Sequence, residues 1–71
     1  MTLCEGKINQ SYIVQSISLE NATQIRLKAL GLTDGTSVII LNSKRGGSVI
    51  FSVRGTRLAV GKQIANAIEI R

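Results

Sequence analysis

The stretch KALGLTDGTSVIIL, Lys28 to Leu41, constrains this chain more than any other part of it. It joins a run of helical spacing to a run of β-branched residues through two glycines. Upstream, between Glu20 and Leu30, residues Ala22, Ile25, Ala29 and Leu30 recur at three- and four-residue spacings that place them on one helical face. Asn21 or Ser18 stands where a short side-chain oxygen can accept from the orphan amides of the first turn. Arg26 and Lys28 fall near the carboxyl end, where the helix dipole favours cations. Gly31 then stands where a helix end takes a left-handed residue, a conformation that costs a residue with a Cβ about 1 kcal/mol or more. The pattern predicts a helix of two to three turns that stops at Gly31. Thr33-Asp34-Gly35 reads as a turn with glycine at positive φ, and TSVIILNS as a strand in which Val38 and Ile40 point opposite to Ile39 and Leu41.

The rest of the chain is dominated by strand patterns. Residues 10–17, QSYIVQSI, are rich in β-branched and aromatic types and predict a strand, while Leu3 and Ile8 flanking Gly6 predict a short strand or turn before it. KRGG, Lys44 to Gly47, is a hairpin loop. SVIFSVR follows with Val49, Phe51 and Val53 on one face. Arg54-Gly55-Thr56 is a second tight turn, RLAV a further strand, KQIANA one short helical turn, and IEIR a last strand. Short strands at about ten-residue spacing, with one helix inserted after the first, predict a small, partly open β-barrel. The SH3-like type suits 71 residues, with about five strands, the inserted helix and a short helical turn near the C-terminus. No proline, Ser/Gly tract, charge block or internal repeat marks a linker, so residues 1–71 are expected to form a single domain.

The residue inventory argues against catalysis. Histidine is absent, Cys4 is the only thiol, and the four carboxylates, Glu5, Glu20, Asp34 and Glu69, are scattered. General acid–base and nucleophilic catalysis both need a tuned group with a partner beside it, and neither arrangement is visible. Glu5 beside Cys4 disfavours a reactive thiolate. Imidazoles or clustered thiolates for a transition metal, and several carboxylates on one loop for a hard cation, are likewise missing. The chain is therefore expected to be no enzyme and to hold no cofactor or intrinsic metal. One cysteine allows no intrachain disulfide, and Gly46-Gly47 lacks the strand, spacing and helix of a phosphate loop. With neither an apolar run near 18 residues nor a basic-then-apolar leader, a cytoplasmic location is expected.

Nine Lys and Arg against four Asp and Glu give a formal charge of +5, which favours an acidic partner, nucleic acid or an anionic membrane face. Tyr12 and Phe51 are the only aromatics, too few for base stacking or for a proline-rich peptide groove. Phosphate contact through charge alone remains open.

LGLTDGTSVIIL (Leu30 to Leu41) followed by VIFSVRGTRLAVGKQIANAIEI (Val49 to Ile70) resembles the FeoA family, the small cytoplasmic component of the bacterial ferrous iron transport system. The family pattern runs Leu-Gly-Leu, Pro/Thr-x-Gly-Thr-x-Val, a strand, a loop, Val-x-Gly-x-x-Leu-Ala and Ala-x-x-Ile-x-Val. Those elements fall here on Leu30 to Leu32, Thr33 to Val38, Val53 to Ala59 and Ala67 to Ile70. The loop from Lys44 to Ser48 lacks the proline that often closes it, and Gly61 stands where arginine is common; both departures touch the surface. A related domain ends metal-dependent repressors, but this chain has no DNA-binding helices. The resemblance implies an SH3-like barrel and a non-enzymatic accessory of ferrous iron uptake that binds the cytoplasmic part of a FeoB-type membrane GTPase. The expected contact residues are Arg26, Lys28 and Leu32 on the helix and its loop, with Lys44, Arg45, Arg54 and Arg57. The alternatives are a basic barrel that binds nucleic acid by charge, and self-association through an exposed sheet edge.

Overall fold

The computed structural model describes all 71 residues. A 3-10 turn at Leu3–Glu5 precedes β1 (Ser11–Ile17), α1 (Asn21–Ala29), β2 (Ser37–Ser43), β3 (Val49–Val53), β4 (Thr56–Val60), α2 (Lys62–Asn66) and β5 (Ile68–Ile70). The strands form one antiparallel sheet in the order β4-β3-β2-β1-β5. This is the mainly β, SH3-like arrangement expected from the sequence, with α1 inserted between β1 and β2.

The sheet curls because β1 changes partner along its length. Ser11 to Ile13 pair with β2, whereas Val14 to Ile17 pair with β5 across a register shift between Val14 and Ser16. A second shift lies in β2 between Ile40 and Asn42. Such bulges increase local twist and bend a sheet, which wraps one face around a core. Period-two alternation then decides what enters that core: Val38 and Ile40 from β2, Val49, Phe51 and Val53 from β3, Ile68 and Ile70 from β5. Leu3, Val14, Leu27, Leu32, Val60 and Ala65 complete it.

The junction after α1 explains the LGL signature. Leu30 is the helix C-cap and Gly31 follows at φ +99°. Leu32 N–H donates to Leu27 C=O at 2.9 Å and Gly31 N–H to Lys28 C=O at 2.9 Å. That pair of bonds is a Schellman motif, which satisfies carbonyls the helix end leaves orphaned. The hydrophobic contact that accompanies the motif falls on Leu27 and Leu32, both buried. Gly35, at φ +85°, donates its N–H to Val14 C=O at 2.7 Å, and Val14 N–H returns a bond to Thr36 C=O at 2.9 Å, so the turn is pinned to β1. The Thr36 hydroxyl, buried beneath it, is satisfied by Thr33 Oγ1 at 2.7 Å.

Two expectations about α1 are corrected. The face carrying Ala22, Ile25, Ala29 and Leu30 points outward; Ile25 is 67% and Leu30 45% exposed, and Leu27 is the helix's one buried residue. Gln24 takes the inward side instead, where its Nε2 donates to the carbonyls of Ile17 (3.0 Å) and Leu19 (2.8 Å). Those carbonyls lie in the turn into the helix and need a donor once covered, so a polar side chain displaces an apolar one there. The N-cap is Glu20, not Asn21 or Ser18, and its carboxylate accepts from the Thr23 hydroxyl at 3.1 Å.

Candidate functional site

No three side chains among histidine, cysteine, aspartate and glutamate come together. Cys4 is half-buried against the core, with Sγ 3.5 Å from the Gly47 carbonyl oxygen. Of the two aromatics, Phe51 is enclosed in the core, and the Tyr12 hydroxyl accepts from Lys7 N–H at 2.8 Å. Tyr12, half-buried, is thus the one ring at the surface. At Glu5 the Thr2 N–H donates to Oε1 at 2.6 Å and holds the carboxyl below its usual value. The N-terminal ammonium adds a smaller pull in the same direction, and the contact organises the N-terminal turn.

What the surface does present is charge, and it is unevenly divided. Residues 35–68, comprising β2, β3, β4, α2 and most of their connections, hold Lys44, Arg45, Arg54, Arg57 and Lys62 and no carboxylate. Outside that segment, Lys7, Arg26, Lys28 and Arg71 are balanced by the four carboxylates. The whole net charge of +5 therefore resides in one half of the fold. No lysine or arginine side chain is within salt-bridge distance of a carboxylate; the one ion pair joins the Met1 ammonium to Glu69 at 3.3 Å. Every basic side chain of this half is exposed.

The seven residues singled out in the sequence do not form one patch. Arg54 and Arg57 lie at the β3–β4 turn and on the adjoining strand, where Arg57 pairs with Ser52. Arg54 reaches the helix junction: its Cδ lies 2.9 Å from where a Gly31 Cβ would stand, so glycine there also makes room for the arginine stem. This contact brings Arg54 to the end of α1 that carries Arg26 and Lys28. Lys44 and Arg45 are at the other end of β3, in the β2–β3 loop, separated from Arg54 by about 16 Å at the usual strand rise. Lys62 joins them there, its Cβ, Cγ and Cδ packed against Gly47 at 2.6–2.9 Å from a notional Cβ. Lys62 was not among the expected residues, although the absence of acids between Asp34 and Glu69 pointed to it.

Leu32 is a correction. It is 0% exposed and sits in the core as the apolar partner of the Schellman turn, so it cannot be a contact residue on the surface. Ile39 is the exposed apolar side chain of β2, 44% accessible, between Ser11 and Ser52 in the cross-strand row that ends at Arg57. An open depression beside Arg54 is lined by Ser37, Ile39, Ser52 and Gly55. No helix is long and apolar enough to cross a membrane.

Solved structures reproduce this architecture over the whole chain. The crystal structure of an iron uptake regulatory protein, FeoA, is 32% identical with a TM-score of 0.89, over 100% of this chain and 95% of that one. The FeoA protein of Chlorobium tepidum is 28% identical with a TM-score of 0.90, over 99% of this chain and 68% of that one. The FeoA of Stenotrophomonas maltophilia, complexed with zinc and described as a procaryotic SH3 domain protein, is 26% identical with a TM-score of 0.80, over 100% and 89%. No curated protein matches this sequence. The family model for the FeoA domain matches residues 1–71, the span over which the helix–Schellman–strand junction and the curled sheet are laid out, and the chain belongs to the FeoA domain family.

Proposed function

We propose that this protein is a non-enzymatic accessory or regulatory component of ferrous iron uptake, working at the cytoplasmic part of a FeoB-type membrane GTPase transporter. Family membership supplies the process, and the S. maltophilia relative is described as a candidate ferrous iron transport activating factor. The observation that carries the mode of action is the charge division: five basic side chains without a carboxylate among them, exposed on β2 to α2. An interaction surface of that kind steers an acidic partner and sets its orientation. Arg54 and Arg57, with Arg26 and Lys28 beyond the Gly31 junction, form one end of the contact. Lys44, Arg45 and Lys62 form the other. Scattered carboxylates and a lone thiol leave the chain no chemical step of its own, so its effect on the transporter is exerted through binding.

The test is retention of this protein by the transporter's purified cytoplasmic region at low salt, in nucleotide-free, GDP and GTP-analogue states. Retention that falls as salt rises is the expected result. Absence of a complex in every nucleotide state overturns the proposal.

A further inference from the structure

The two edge strands of the sheet are treated differently. The outer edge of β5 is covered: Ile70 N–H donates to Met1 C=O at 2.7 Å, and Thr2 bridges Glu69. The outer edge of β4 has no such cover. Residues Thr56 to Val60 pair only with β3, in an unbroken register of five residue pairs, and none of them takes part in a backbone hydrogen bond outside the ladder.

The turn before β4 decides which of its groups face outward. Arg54 (φ +52°) and Gly55 (φ +80°) form a two-residue loop with both central φ values positive, the type I′ geometry. Val53 and Thr56 are then a hydrogen-bonded pair, and alternation makes Phe51–Leu58 and Val49–Val60 the next two. The N–H and C=O of Arg57 and Ala59 therefore point away from the sheet, and both residues are exposed. Edges are usually blunted by shortness, proline, a bulge, charged side chains or a covering element. β4 has no proline, its register shows no bulge, and Arg57 is its one charged residue.

Charge selects what this edge accepts. Arg57 is the second residue of the strand, Arg54 lies in the turn before it and Lys62 just beyond its other end, with no acidic residue anywhere between 35 and 68. A second copy would set two chains of +5 against each other with these same residues at the junction. A nucleic acid offers no ladder of N–H and C=O groups to match a strand edge. The complementary occupant is an acidic, extended peptide segment. We infer that the open edge of β4 takes such a segment as a sixth strand, its backbone pairing with Arg57 and Ala59 and its carboxylates meeting Arg57, Arg54 and Lys62. The inference goes beyond the assigned process, because it holds whichever protein supplies the segment.

The probe is a set of ten-residue peptides with glutamate at alternate positions and valine, threonine or leucine between, with lysine-for-glutamate versions as controls. Binding is read by amide exchange and chemical shifts on the isotope-labelled protein at 50 mM salt. The expected result is that glutamate peptides bind, protect the Arg57 and Ala59 amides at least tenfold, and bind about tenfold more weakly at 300 mM salt. Ala59→Pro removes one outward donor at an edge position where proline is tolerated and weakens binding about tenfold. Arg57→Glu, which leaves the backbone untouched, weakens it by a similar factor. Four outcomes overturn the inference: no binding by any glutamate peptide, equal binding of the lysine versions, protection confined to other strands, or protection of Arg57 and Ala59 in the free protein as its own concentration rises. The last would make a second copy the occupant.

Discussion

The half of the fold between residues 35 and 68 and the half around it share one core but not one surface. Both contribute to packing: Leu3, Val14, Leu27 and Leu32 come from one, Val38, Phe51, Val53 and Ala65 from the other. Only the half between residues 35 and 68 carries net charge, and it carries all of it. Since the core is built from both, nothing in its packing calls for the separation of charge. The division belongs to the surface, and the proposed function takes β2 to α2, with the adjoining end of α1, as the side that meets a partner.

Core variants should show no difference between the halves, and they carry the largest effects. Phe51→Ala is expected to cost about 4 kcal/mol and Leu32→Ala about 3 kcal/mol, as for other fully buried large-to-small changes. Against a total of roughly 4 to 11 kcal/mol for a chain of this size, either leaves a marginal fold in urea denaturation. A loss below about 1 kcal/mol for Leu32→Ala would place that side chain on the surface instead.

Glycine positions come next, and two within the charged half differ. Gly47, at φ +95°, lies against the stem of Lys62, whereas Gly35, at φ +85°, has open space where a Cβ would go. Gly47→Ala is expected to cost about 2 kcal/mol, backbone strain plus displacement of Lys62, and Gly35→Ala about 1 kcal/mol from strain alone. Equal losses in thermal unfolding would show that Lys62 moves aside freely. On the helix, Ile25→Ala should change stability by less than about 0.5 kcal/mol, because the side chain is solvated.

The smallest effect is that of pH on the N-terminal turn. The Glu5 carboxyl is held below the ordinary carboxylate value of 4.5 by the Thr2 amide. A depressed folded pKa means the contact is complete above 4.5 and is lost as pH falls through the lowered value. The Thr2 amide resonance should titrate in that acid window and Glu5→Gln should abolish the titration, with the remaining sheet unaffected.

Much of this architecture is legible in the sequence because one rule governs it locally. Val49, Phe51 and Val53 alternate and all are buried; Gly31 and Gly35 mark the turn between α1 and β2, and both have positive φ. The helix face was illegible for a physical reason. Gln24 faces inward to satisfy two carbonyls of a turn that only the folded chain brings beneath it, so the apolar periodicity marks the outer side of α1. Nothing local distinguishes Leu32 from a surface loop residue, and only the Schellman geometry puts it under the helix. The basic residues look dispersed along the chain; the asymmetry lies in where the four carboxylates are absent. Pairing with β3 alone, which opens the edge of β4, depends on the sheet order and is invisible to any local pattern.

The most direct test of the division is a pair of charge-matched double variants. Arg57→Glu with Lys62→Glu alters the charged half, and Lys7→Glu with Arg71→Glu alters the other; two reversals take the net charge from +5 to +1 in each. All four residues are exposed, so both variants should fold with stability close to the parent. Affinity for the transporter's cytoplasmic region is then compared at one salt concentration. The first variant is expected to lose binding by about a hundredfold, from two attractions turned to repulsions, and the second by no more than about threefold. Equal losses would mean that net charge alone governs the association, and a larger loss for the second would place the contact on the wrong side of the fold.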